Sequence, residues 1–89
     1  MEYEWDEAKR HSNVAKHGID FSAAQRFEWY SALETVDARK AYGETRSRAL
    51  GLLDGRLHVL IFTRRGNRTR IISLRKANNV EMGEYEDAS

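Results

Sequence analysis

The chain has 89 residues, 40% of them hydrophobic and 10% aromatic, with 15 Lys/Arg against 14 Asp/Glu and a formal charge of +1. This length holds one domain over residues 1–89 with a single modest core, and the apolar content excludes a disordered chain. The absence of cysteine excludes disulfides and thiolate metal sites and fits a cytoplasmic protein; no run is long enough to span a membrane, and the charged start MEYEWDEAKR is no signal peptide.

Tyr3 and Trp5 alternate with Glu2 and Glu4, the pattern of a short edge strand. Asp6 can cap a helix over EAKRHSNVAKH, and Gly18 suits its left-handed end. The apolar stripe of that helix is thin (Ala8, Val14 and Ala15), so packing must hold it. Asp20 predicts a second helix with Phe21, Ala24 and Phe27 on one face. Leu33, Thr35 and Val36 permit a strand, and DARKAYGETR reads as a polar loop with Tyr42, Gly43 and Glu44 at its tip.

From Arg46 to Lys76 the pattern is a two-hairpin meander, turning at Asp54-Gly55 and at Gly66-Asn67. Residues 56–76 carry seven Lys/Arg and no acid, so the neutral total hides a basic hairpin and points to a polyanion partner. With Gly66-Asn67 as the turn, simple alternation pairs Arg65 with Arg68, Phe62 with Ile71, Leu60 with Ser73 and His58 with Arg75. One sheet face then collects Leu50, Leu52, Leu57, Val59, Ile61, Ile72 and Leu74 as a helix-covered core. The other collects Leu60, Phe62, Arg64, Ile71, Ser73 and Arg75 as an open, mixed and cationic face. Asn78 with Glu81 predicts a capping box opening a short acidic helix, with Val80, Met82 and Tyr85 as its apolar positions. The expected fold is α+β: a small antiparallel β-sheet with two N-terminal helices packed on it and a short C-terminal helix.

Arg64 and Arg75 are candidate phosphate-binding groups, since a guanidinium stays charged and grips phosphate in a fork; a solubilising surface role is the alternative. His17 can act as acid or base, or serve simply as a cation at a helix C-terminus. Lys9, Lys16, Arg65, Arg68 and Arg70 could supply positive charge to a polyanion or solvate their elements. Tyr85 could stack on a base or pack in the core. Glu44 could orient an arginine, serve as a base or be an inert loop-tip acid, and His58 could be a lone surface histidine. His11 and His17 stand six apart on different helix faces, so no metal site and no cofactor are expected.

Four segments in combination resemble the BrnT toxins of bacterial type II toxin–antitoxin modules: WDEAKRHSNVAKHGIDF, DARKAYGETRSRALG, VLIFTRRGNRTRIISLRKA, and Glu81 with Tyr85 beyond. The resemblance runs from Trp5 to Tyr85. It departs at EWYSALETVD, which lacks an acidic F-x-D-P-type connection, and at Leu74, which stands where a smaller residue is expected. It implies a RelE-like fold and a metal-independent endoribonuclease that arrests growth by cleaving cellular RNA. His17, Arg64, Arg75 and Lys76 are then the candidate catalytic set, with Lys9, Lys16, Arg65, Arg68, Arg70 and Tyr85 as RNA contacts. It also implies neutralisation by a ribbon-helix-helix antitoxin similar to BrnA, in a two-to-two complex that binds operator DNA through the antitoxin. The rival reading is a non-catalytic nucleic-acid- or partner-binding module acting as a transcriptional co-repressor.

Overall fold

The local signals come out as caps and turns. Asp6 Oδ1 accepts from the Ala8 and Lys9 amides at 2.8 and 3.2 Å. Gly18, at φ 71°, ends the helix by donating its amide to the Val14 carbonyl. Asp54 and Gly55 both take positive φ, as a type I′ turn requires; Gly66 alone does so in the second turn, as in type II′. Asn78 and Glu81 form a reciprocal capping box: the Glu81 amide donates to Asn78 Oδ1 at 2.8 Å, and the Asn78 amide donates to Glu81 Oε1 at 2.9 Å.

The structure, a computed structural model, describes residues 1–37 and 43–88; half of the expected polar loop, with Tyr42, lies outside them. The elements are β1 (Glu2–Trp5), α1 (Glu7–His17), 3₁₀ helices at Phe21–Arg26 and Trp29–Ser31, β2 (Leu33–Val36), β3 (Ser47–Leu53), β4 (Arg56–Arg65), β5 (Arg68–Lys76) and α2 (Asn79–Ala88). They form an α+β fold around one five-stranded sheet of order β1-β5-β4-β3-β2. Two expectations are corrected. The sheet is mixed, because β1 pairs with β5 in parallel, Glu2 beside Arg68 and Trp5 beside Ile71. The second N-terminal helix is a 3₁₀ helix: its apolar residues Phe21, Ala24 and Phe27 repeat every three positions, the period at which 3₁₀ side chains line up.

The third correction is one of register. Arg65 faces Arg68 and Phe62 faces Ile71 as expected, but beyond them β5 carries one extra residue. Ile61 then opposes Ser73, Leu60 opposes Leu74, Val59 opposes Arg75 and His58 opposes Lys76. This bulge at Ile72 exchanges the faces of everything after it. Leu74, rather than Ser73, enters the layer of Leu60, and Arg75 is spared burial beneath the helices.

Independently of the bulge, the 3₁₀ helices cover the opposite sheet face from the one expected. Ala49, Leu53, Leu60, Phe62, Ile71 and Leu74 form the main core with Phe21, Ala24 and Phe27. The face expected to lie open beside the arginines is thus buried beneath the 3₁₀ helices. Gly51 permits this, because a Cβ there would stand 2.6 Å from Phe27 Cζ. Leu50, Leu57, Val59 and Ile61 make a smaller cluster on the opposite face, where Tyr85 of α2 packs and donates its hydroxyl to the Ser31 carbonyl at 2.9 Å.

Candidate active site

Helix α1 docks through polar residues. Lys9, Ser12, Asn13, Lys16 and His17 fall at i, i+3, i+4, i+7 and i+8, one stripe of an α-helix, and this stripe faces β5. The expected apolar positions do not make the contact: Val14 is exposed, and Asn13 is the helix's one buried residue among those described. The Asn13 carboxamide does what a neighbouring strand would do. Nδ2 donates to the Leu74 carbonyl at 2.8 Å, and Oδ1 accepts from the Leu74 amide at 3.1 Å. Nδ2 also donates to the Ile19 carbonyl at 2.9 Å. Beyond the reach of β1, the outer edge of β5 is thus satisfied by one side chain.

Around Asn13 the stripe and the strand enclose a groove of about 260 Å³ lined by Lys9, Ser12, Lys16, His17, Ile72 and Ser73. Lys9 and Lys16 are exposed and carry no ion pair among the described residues. Partial burial, then the charges of Lys16 and Arg75, hold the His17 imidazole below the usual histidine range. An imidazole so placed is neutral near pH 7, with a free lone pair to accept a proton. The groove combines a base, two ammonium groups and two hydroxyls, a set suited to a phosphodiester.

Arg75 leaves β5 on the opposite side of the sheet from the main core. Its two terminal nitrogens each donate to one oxygen of Glu81 at 2.8 Å. Glu81 is buried, and the Arg75 guanidinium, with the Asn78 amide after it, pulls its carboxyl below the ordinary range against the opposing effect of burial. Arg48 joins them, 3.7 Å from Glu81 and 2.7 Å from Glu84. Arg48, Arg75 and Glu81 share a pocket of about 180 Å³ with Thr35, Val36, Asp37 and Ile61.

The hairpin's positive charge is largely matched. Arg70 pairs with Glu4 at 2.8 Å and Arg68 with Glu2 at 3.9 Å, both across the parallel β1 contact. Arg65 reaches Glu44 at 3.2 Å and Arg64 reaches Glu34 at 3.0 Å. Arg64 also lies over the Phe62 and Trp29 rings, 4.9 and 5.6 Å from their centroids. It is therefore on the main-core side of the sheet, opposite Arg75, and the two do not form the single site expected of them. Lys76 alternates onto that same side, paired with His58. His58 is buried, bonded through Nδ1 to the Arg56 carbonyl at 2.8 Å, and does not face Arg75. Tyr85 takes the packing role that was one of its two readings.

Of the expected residues, the structure brings together Lys9, Lys16, His17 and, through its charge, Arg75. Sequence reasoning missed Asn13 as a docking residue and Arg48 as a partner of Glu81. The first had a signal in the polar stripe at helical spacing; the second had none, because Arg48 meets α2 only in the fold. Among the described residues no helix is long and apolar enough to cross a membrane. A family model described as "Ribonuclease toxin, BrnT, of type II toxin-antitoxin system" matches residues 5–81. A search of curated proteins finds no match.

Proposed function

The chain belongs to the BrnT family of ribonuclease toxins of type II toxin–antitoxin systems, and on that premise we propose that it is a metal-independent endoribonuclease, one domain over residues 1–89, working in the groove between α1 and β5. The observation that carries this reading is His17 beside Lys16, Ser73 and the charge of Arg75: a neutral base among cations. His17 takes the proton of a ribose 2′-hydroxyl, and the 2′-oxygen attacks the adjacent phosphorus. Arg75 and Lys16 offset the charge of the phosphorane. The bond from phosphorus to the 5′-oxygen then breaks, and that oxygen takes a proton from a groove ammonium group. The products are a 2′,3′-cyclic phosphate and a 5′-hydroxyl. Lys9 holds the flanking backbone, and Arg64, Arg65, Arg68, Arg70 and Lys76 extend the RNA path rather than enter the chemistry.

A toxin of this family has an antitoxin partner. An exposed cationic face beside Leu60, Phe62 and Ile71 does not support that partner here, because all three are buried. We assign the antitoxin to the ribbon-helix-helix class, in a two-to-two cytoplasmic complex that binds operator DNA. The decisive experiment incubates the purified toxin, freed of antitoxin, with end-labelled RNA in excess EDTA. Cleavage leaving cyclic-phosphate ends is expected, with His17→Ala slower by roughly 10²- to 10⁴-fold. Intact RNA, or cleavage that EDTA abolishes, refutes the reading.

A further inference from the structure

Asn13 is 5% exposed, and its side-chain amide meets three backbone groups: the Leu74 amide, the Leu74 carbonyl and the Ile19 carbonyl. Leu74 itself brings no chemistry to the groove, since its side chain is fully buried in the main core. Its neighbours do. Ser73 lines the groove, and Arg75 supplies charge felt by His17. The third bond works from the other side, because Ile19 follows the Gly18 cap that ends α1 directly after His17. One carboxamide therefore ties the strand segment bearing Ser73 and Arg75 to the chain turn bearing His17.

The bulge makes this tie consequential. At Ile72 the ladder between β4 and β5 slips by one residue, and Ser73 follows immediately. β1 ends its pairing at Ile71, so it gives no support to β5 beyond that point. On that outer side, Asn13 makes both backbone hydrogen bonds to Leu74 where a further strand would otherwise have to lie. A bulged strand with an unpaired edge can re-aim its side chains, and a shift of about 1 Å at a reacting centre can cost about a hundredfold in rate.

We propose that Asn13 is a positioning residue for the groove: it acts through the backbone of Leu74 and Ile19 to hold Ser73 and Arg75 in register with His17, and does not itself touch RNA. This rests on the groove being the site of RNA cleavage. The test compares wild type, Asn13→Ala and Asn13→Asp at a temperature where circular dichroism shows all three folded. It measures the single-turnover cleavage rate at saturating RNA, the affinity for a non-cleavable 2′-deoxy analogue, and hydrogen exchange at the Leu74 amide.

Asn13→Ala should cleave about a hundredfold more slowly with its affinity for the analogue changed less than threefold, and its Leu74 amide should exchange faster. Asn13→Asp supplies a readout that a loss of packing alone would not move. Its introduced carboxyl can accept from the Leu74 amide at any pH, but can donate to the Leu74 carbonyl only when protonated. The rate of Asn13→Asp relative to wild type should therefore rise as pH falls. An Asn13→Ala variant that cleaves like wild type while its Leu74 amide exchanges freely overturns the inference and leaves the ribonuclease reading standing. A ratio flat with pH overturns it as well. Wild-type protein that leaves RNA intact removes the ribonuclease reading and the inference together.

Discussion

Replacing Glu81 with Ala should cost far more than a change at one helical carboxylate normally does. Two sets of bonds are lost at once. The reciprocal cap with Asn78 is worth about 1 kcal/mol by comparison with other N-terminal caps. The two 2.8 Å bonds to Arg75 are charge-assisted and one partner is buried, but the Arg75 side chain is 29% exposed and can rehydrate. That holds their loss to about 2 kcal/mol, below the figure for a fully buried pair. The total of about 3 kcal/mol should lower Tm by roughly 12–24 °C in a domain of this size. Glu84→Ala, at a carboxylate that is 41% exposed, is the matched control and should change Tm little. The pH dependence carries a second signature. Because the Glu81 carboxyl is held below its ordinary 4.5, its contribution is complete above that pH and is lost as pH falls through its lower folded value. In thermal melts the gap in Tm between wild type and Glu81→Ala should therefore narrow as pH falls below 4.5. A Tm loss of only a few degrees at pH 7, or a gap that stays constant into acid, would show that α2 is held by other means.

Gly51→Ala should destabilise by about 1–3 kcal/mol in urea unfolding, as overpacking does, because the added methyl meets Phe27 at 2.6 Å; unchanged stability would mean that the ring moves freely. The acid limb of kcat/KM for RNA cleavage should fall below pH 6.5, the ordinary histidine value, because His17 is shifted down and must be neutral to act as base; a limb at or above 6.5 assigns the base elsewhere. With the hairpin arginines matched by Glu2, Glu4, Glu34 and Glu44, the unpaired groove lysines should dominate the response to salt. Lys9→Ala with Lys16→Ala should reduce the slope of log affinity against log salt by about 1.4 for single-stranded RNA, two contacts at about 0.7 each, and an unchanged slope places the RNA elsewhere.

What was legible in the sequence was what neighbouring residues decide. Asp6 and Gly18, the Asp54-Gly55 turn, Gly66, and Asn78 with Glu81 each satisfy a backbone requirement within a few positions, and each is found as expected. Partners far along the chain were not legible. Nothing in EYEW specifies a parallel neighbour, so both the mixed sheet and the matching of Arg68 and Arg70 by Glu2 and Glu4 escaped notice. The bulge escaped because a period of two contains no sign of an added residue. That slip put Leu74 in the main core and separated Arg64 from Arg75, while the choice of sheet face for the helices to cover is a separate long-range matter that strand alternation does not decide. On α1 the search for apolar residues at helical spacing found Ala8, Val14 and Ala15, whereas the docking surface is polar and turns on one amide. Lys9, Lys16 and His17 were legible as candidates and their common stripe left a signal in the spacing, but the strand that the stripe faces did not.

The parallel contact of β1 with β5 also sets an order in time. Glu4 and Arg70 are 66 positions apart, and Asn13 and Leu74 are 61 apart. As the chain leaves the ribosome, β1 and α1 emerge first and find no partner, while β3 and β4 can pair as soon as their short turn is made. Closing such long loops is the slow part of assembling this sheet. The groove beside Asn13 needs both α1 and β5, so it can form only once the chain through β5 has been synthesised. A nascent copy that has not yet reached β5 therefore carries His17 and the lysines without the strand that aligns them, and the site is built only once that strand has been made.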